Sequence, residues 1–185
     1  MRIIGGEMGG RKISPPANMP HTRPTTDIAK GGLFNIIENN LDIPSLKTLD
    51  IFGGTGSISY ELASRGATDQ TIVEKDPAMA NFIQKTAASL GINHLKLMRS
   101  EVFKYLEHCT EKFDFIFAGP PYALDTIDEL PKIIFNRELL NPEGWFVLEH
   151  TPRNNYKDFS YYRTERNYGT TIFSVFINRE ELRKP

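Results

Sequence analysis

Thr48-Leu49-Asp50-Ile51-Phe52-Gly53-Gly54-Thr55-Gly56 is the stretch whose reading decides the fold. An apolar run, Leu49 to Phe52, stops at a cluster of glycines, and helical spacing resumes from Ser57 to Arg65. The pattern predicts strand, tight turn and helix, the opening of a nucleotide-type α/β unit. Glycine suits such a turn for two reasons: a Cβ would obstruct the required backbone angles, and a ligand must approach the main chain closely.

On the C-terminal side the alternation continues. Gln70 to Glu74 is a predicted strand ending in an acid, Pro77 to Leu90 a helix and His94 to Met98 a strand. Val102 to His108 is a short helix, Phe113 to Phe117 a strand buried on at least one face, Asp125 to Phe135 a helix and Trp145 to Leu148 a strand. Strands alternating with helices imply a mostly parallel sheet covered on both faces. Phe159 to Arg163 and Thr171 to Asn178 are β-type runs with Asn167-Tyr168-Gly169 between them and no helix, which predicts an antiparallel hairpin at one sheet edge. The expected architecture is thus a Rossmann-like α/β domain with a C-terminal antiparallel hairpin.

On the N-terminal side, Arg2 to Ile4, two glycine pairs and the basic pair Arg11-Lys12 predict a small β-hairpin with a basic tip, followed by a Pro-rich crossing from Ser14 to Pro24. Thr25 or Thr26 is placed to cap a helix whose apolar positions are Ala29, Leu33, Ile36 and Ile37. Gly31-Gly32 inside it costs about 1 kcal/mol per residue relative to alanine, so its first turns are expected to be loose.

A chain of 185 residues supports one well-buried domain with a small appendage. Hydrophobic residues at 39% and charged residues at 24% describe a soluble globular chain. No apolar run approaches the roughly 20 residues needed to cross a bilayer, and a signal-peptide core is missing. The single cysteine, Cys109, cannot form an internal disulfide, so a reducing cytoplasm is the expected setting. Four scattered histidines show no metal-ligand spacing, and neither a metal nor a membrane partner is expected. The net charge of -1 conceals an uneven distribution: residues 1–30 and 151–185 are each +3, whereas the middle is -7. The ends can meet phosphate while the middle does not, although solvated surface of this charge is common.

Two features carry chemistry. Glu74 follows the second strand 24 residues after Asp50, where an acid can accept hydrogen bonds from both ribose hydroxyls of an adenosine. Gly54-x-Gly56 lacks the third glycine of the dinucleotide pattern, which argues against NAD or FAD. After the fourth strand comes Ala118-Gly119-Pro120-Pro121-Tyr122. Two prolines remove two N–H donors and leave outward carbonyls beside an aromatic, an arrangement suited to a flat ring bearing an amino group. A double proline that merely ends a strand is the plain alternative.

Asp50 to Gly56, Glu74 and Gly119-Pro120-Pro121-Tyr122 together resemble the class I S-adenosylmethionine-dependent amino-methyltransferases, marked by Asp/Asn-Pro-Pro-aromatic after the fourth strand. The likeness extends to the bacterial 16S ribosomal RNA guanine N2-methyltransferases through Met1 to Glu7, Arg23-Pro24-Thr25-Thr26-Asp27, Leu33-Phe34-Asn35, Ser64 to Ala67, Val73 to Asp76 and Tyr168-Gly169. The resemblance implies a seven-stranded sheet and S-adenosylmethionine as cofactor, with 16S rRNA or the assembling small subunit as partner of a monomer. It implies that Asp50, Phe52, Gly54 and Gly56 shape the methionine end of the cofactor pocket, with Glu74 on the ribose and Lys75 beside it. Glu101 and Val102 stand at the adenine contact, where the family has Asp-Ala. Residues 1–25 would form an RNA-binding extension on a methyltransferase domain of residues 26–185, and Arg11, Lys12, Arg23, Thr25 and Thr26 would grip RNA. Gly119, Pro120, Pro121 and Tyr122 would form the catalytic corner, with Tyr122 stacking on the target base.

Gly119 departs from the Asp or Asn of the hallmark, and Gly53 and Gly31 replace the family's Ala or Ser and Glu. Losing one such acceptor costs about 3 kcal/mol, roughly a hundredfold in rate. The expectation is therefore a retained cofactor site with catalysis weakened or assisted by water. Three readings follow: an rRNA guanine N2-methyltransferase, an enzyme of the same fold acting on DNA or protein, or a non-catalytic RNA-binding relative.

Overall fold

Phe113–Ala118, β4, is buried on both faces except at the half-buried Asp114, which places it at the centre of a parallel sheet. The computed structural model describes residues 1–17 and 25–182. Around β4 run β1 (Lys47–Ile51), β2 (Asp69–Val73), β3 (Leu95–Met98), β5 (Leu140–His150), β6 (Tyr162–Tyr168) and β7 (Thr171–Ile177). Their order is β3-β2-β1-β4-β5-β7-β6; β1 to β5 are parallel, and β7 lies antiparallel between β5 and β6. The helices are α1 (Asp27–Asn40), α2 (Ser57–Ser64), α3 (Pro77–Ser89), α4 (Val102–His108) and α5 (Glu129–Asn136). The expected Rossmann-like architecture with a C-terminal hairpin is the one observed.

Two apolar layers hold the sheet. Leu33, Phe34 and Ile37 of α1 and Ile58 and Leu62 of α2 cover Phe115, Phe117, Val147 and Phe173 on one face. Leu106 of α4 and Leu130 and Ile134 of α5 cover Ile116, Phe146, Leu148 and Phe176 on the other. The chain leaves β1 toward β2 and β3, then returns to put β4 on β1's other side. That reversal opens a crevice at the carboxyl ends of β1 and β4, where ligands of open α/β sheets bind.

The N-terminal hairpin is present, with Arg2 bridged to Lys12. Its basic pair does not form the tip, however. The turn is the glycine segment 5–10, which lies against α2, and Arg11 and Lys12 are exposed on the returning arm. Glu61, wholly buried on α2, accepts the Ile4 and Gly5 N–H groups at 2.8 and 2.9 Å. It also faces Lys30 Nζ at 3.5 Å and Arg65 Nε at 2.9 Å. Burial pushes the Lys30 ammonium down in pKa and the Glu61 carboxylate opposes it.

Three boundaries differ from the sequence pattern. α5 begins at Glu129, because a start at Asp125 would put Pro131 in a helix interior, where its missing N–H breaks a bond. β6 begins at Tyr162: Phe159 and Tyr161 belong to a preceding turn packed on Phe135 and Phe176. β5 begins at Leu140, before an irregularity around Glu143, whose φ is +64°. α1 is regular through its glycines. Thr26 caps it, and at Gly32 any Cβ would overlap the Tyr168 hydroxyl of the terminal hairpin. The space beside Gly31 is open, and nothing in the structure explains glycine there.

Candidate active site

The backbone of the glycine bend comes first. Gly54 and Gly56 have φ of +58° and +84°, in the left-handed region where L side chains are strained. A Cβ on Gly56 would also collide with the Tyr60 ring. Phe52 shares the left-handed region at φ +60°, a conformation that costs a bulky residue about 1–2 kcal/mol. At Gly53 a Cβ would come within 2.5 Å of Ile72, so Ile72 occupies the space a larger residue would need.

The bend forms one wall of a cavity of about 600 Å³ at the carboxyl ends of β1, β2, β4 and β5. Asp50, Phe52, Gly54, Glu74 and Lys75 line this wall, while Gly56 is set back as the residue capping α2. Glu101 and Val102 line a second side, and Gly119, Pro120, Pro121 and Tyr122 the opposite one. The Gly119 amide donates to Ile51 O at 3.4 Å, tying the double-proline corner to the end of β1.

Glu74 is set by backbone donors. Its Oε1 accepts from the Gly54 N–H at 2.9 Å and its Oε2 from the Asp76 N–H at 2.8 Å, so one carboxylate braces both the bend and the start of α3. A carboxylate offers about four lone-pair directions, which leaves acceptor capacity toward the cavity. Glu101, in the cavity wall, is likewise held by backbone donors. Its side chain folds back to cap α4, accepting from the Phe103 and Lys104 amides at 3.0 and 2.8 Å. Val102 opens that helix, and an amide there has no partner within its own helix.

Asp50 is 3% exposed, and its Oδ2 accepts from the Ser59 hydroxyl at 2.7 Å. Burial holds its carboxyl up to about 7; Glu74 and Glu149 add to the shift and Ser59 opposes it. Because the folded value lies above the unfolded 3.8, the native state binds an extra proton between the two values. Stability is therefore lost as pH rises from about 4 through about 7. Asp50→Asn is expected to remove most of that slope, gaining about 4 kcal/mol relative to wild type at pH 8 and almost nothing at pH 4. Denaturant unfolding of both proteins at the two pH values measures it.

The RNA-contact candidates are dispersed. Arg11 and Lys12 lie outside the cavity wall, and Arg23 lies outside the described residues. Thr26 is used as the α1 cap, its hydroxyl accepting from the Ala29 amide at 3.2 Å. Thr25 belongs to the cavity wall, where its hydroxyl donates to Glu149 Oε1 at 2.8 Å. The Tyr122 hydroxyl donates to Glu149 Oε2 at 3.1 Å and lies 3.3 Å from Thr171 Oγ1, which fixes the ring beside the corner.

Sequence reasoning does not single out Glu149 or the apolar lining residues Met79, Phe103 and Leu124. The signal for Glu149 was an acid closing a predicted parallel strand, the same signal that singled out Glu74. Its neighbour His150 is structural: the ring is enclosed and paired with Ser174 Oγ at 2.7 Å.

The cavity fits S-adenosylmethionine on its own features. Two carboxylates, Glu74 and Glu149, suit a cationic sulfonium. Phe103, Leu124 and Met79 offer apolar surface to a flat base, and the volume falls within the ~300–1,000 Å³ of small-molecule sites. Among the described residues no cluster of His, Cys, Asp and Glu could hold a metal ion, and no helix is long and apolar enough to cross a membrane.

Comparison with known proteins agrees with this geometry. The chain is similar to ribosomal RNA small subunit methyltransferase D of Escherichia coli strain K12, with 31% identity over 149 residues, covering 80% of this chain and 71% of that protein. Its fold matches a solved hypothetical protein of Thermus thermophilus with a TM-score of 0.82 and 26% identity over 95% of this chain and 98% of that one. It also matches the RNA methyltransferase of Salinibacter ruber, solved with S-adenosyl-L-homocysteine, with a TM-score of 0.68 and 16% identity over 88% of this chain and 98% of that one. The model of the family described as Conserved hypothetical protein 95 matches residues 1–177, nearly the whole chain, and the protein belongs to that family of small-subunit ribosomal RNA methyltransferase D relatives.

Proposed function

We propose that the protein transfers a methyl group from S-adenosylmethionine to the exocyclic N2 amino group of a guanine in small-subunit ribosomal RNA. One observation carries the reading: the glycine bend, Glu74 and the Gly119 to Tyr122 corner line a single cavity at the point where the sheet order reverses. The family's rRNA methyltransferases supply the substrate class.

When bound, the cofactor supplies a methyl group already activated on a sulfonium, so no metal or covalent nucleophile is required. The residues then provide position and charge. Gly54 lets the main chain approach the methionine end while Gly56 makes the turn into α2, Glu74 accepts the ribose hydroxyls, and Val102 offers its amide to adenine with Phe103 against the ring. The Pro120 carbonyl accepts one hydrogen of the target amino group, which helps to localise its lone pair and stabilises positive charge as it develops. Tyr122, anchored through its hydroxyl, stacks on a base swung out of the RNA and offsets part of the few kcal/mol of unstacking. Residues 1–25 form the RNA-gripping extension of the methyltransferase domain, residues 26–185, with Arg11 and Lys12 on its exposed arm.

Incubation of labelled cofactor with undermethylated small subunits, naked rRNA, DNA and protein tests the reading. Label recovered as N2-methylguanosine from the small-subunit RNA is the expected result. Label appearing only in DNA or protein, or at another atom of the RNA, contradicts it.

A further inference from the structure

Ala118 of β4 pairs in register with Leu148 of β5, so Gly119, the first residue past the end of β4, follows on beside Glu149 of β5. Strands lie about 4.8 Å apart, and residues in register project to the same face. Gly119 therefore leaves open the place where its own side chain would stand, and the strand beside it carries a carboxylate. Glu149 lines the same cavity as Pro120, Pro121 and Tyr122 although the residue is only 6% exposed. Hydroxyls of Thr25 and Tyr122, from two separate segments, each donate to one of its oxygens. Such orientation by donors is what an acceptor of defined direction requires.

We propose that Glu149 is a catalytic residue that supplies the side-chain acceptor missing at Gly119, receiving a hydrogen bond from the target amino group and then its proton. The inference rests on the amino-methyltransferase reading given above. In the step, the amino nitrogen's lone pair forms the bond to the methyl carbon while the carbon–sulfur bond breaks and leaves its electron pair on sulfur. The nitrogen's surplus proton passes to the Glu149 carboxylate and from there to water, and the N–H electron pair returns to nitrogen. The weakened catalysis that Gly119 implies is thereby offset by a carboxylate shifted one strand along the sheet.

The test is a double-mutant cycle on single-turnover methyl transfer to small-subunit rRNA, with cofactor affinity measured in parallel. An Asp at 119 needs only a small shift of the Phe117 ring, 3.1 Å from where its Cβ would lie. Glu149→Gln, which retains shape and still accepts from one of the two hydroxyls while the other turns to accept from its amide, should lower the rate about a hundredfold while affinity for S-adenosylhomocysteine, which carries no sulfonium charge, stays within about twofold. With Gly119→Asp already present, the same change should cost less than about fivefold, because the restored carboxylate takes over. Equal losses in both backgrounds show a structural role and overturn the proposal, as does an undiminished rate in Glu149→Gln. If Glu149→Gln fails to fold, Glu149→Asp serves in its place: an intermediate rate loss with wild-type melting temperature supports the acceptor role, and an unchanged rate overturns it. A wild-type protein that transfers no methyl to any RNA would instead sink the methyltransferase reading itself, and this inference with it.

Discussion

Glu61→Ala is expected to lower the unfolding free energy by about 3–5 kcal/mol and to free the N-terminal hairpin from the domain. The reason is the number of groups that one buried carboxylate satisfies. Lys30 and Arg65 both face it, with side-chain exposures of 2% and 10%, and the amides of Ile4 and Gly5 end on its two oxygens. Removing it strands a buried ammonium whose other partners are neutral, the Arg2 carbonyl and the Ser57 hydroxyl. Arg65 keeps Glu38 at 2.9 Å and the Phe34 ring at 4.9 Å, so the damage should concentrate at Lys30 and the hairpin. For a chain of this size each kcal/mol moves the melting temperature by about 2–4 °C, which predicts a fall of roughly 10 °C. Hydrogen exchange should show Ile4 and Gly5 losing protection together. A melting temperature within about 2 °C of wild type would mean that these contacts carry no net stability.

The second large effect concerns Glu74. Glu74→Ala is expected to weaken binding of S-adenosylhomocysteine by more than about a hundredfold. Hydrogen bonds to a charged group contribute about 1.5–3 kcal/mol each, and two ribose hydroxyls would be lost at once. The same change releases the Gly54 and Asp76 amides, so the bend loses its brace as well as its ligand contact. Titration calorimetry on the folded variant measures the effect. An affinity within about threefold of wild type would remove Glu74 from the ribose site.

Much of this molecule was legible in its sequence because parallel strands buried on both faces leave near-continuous apolar runs, as Phe115 to Ala118 does, and because turn glycines mark where the chain must reverse. Glu74 and the double proline could be placed from spacing alone, since each follows a strand and strand ends fall at one edge of the sheet. Legibility failed where the deciding contact was distant. Gly32 looks like a weak point of α1 until Tyr168, from the far end of the chain, is seen lying against it. Glu101 stands at the cavity wall, and its role as the cap of α4 appears only once its partners Phe103 and Lys104 are seen. Phe52 in a left-handed conformation carries no sequence signal, because the strain is held by the strand before it and the bend after it. Glu149 was passed over because its partners, Thr25 and Tyr122, are separated from it by 124 and 27 residues.

The most direct measurement is a crystal structure of the protein with S-adenosylhomocysteine. The account predicts the ribose hydroxyls within hydrogen-bond reach of Glu74, the amino-acid end over Gly54, and the sulfur facing the cavity between the Pro120 carbonyl and Glu149. A ligand bound elsewhere, or one whose sulfur faces away from the double-proline corner, would contradict it.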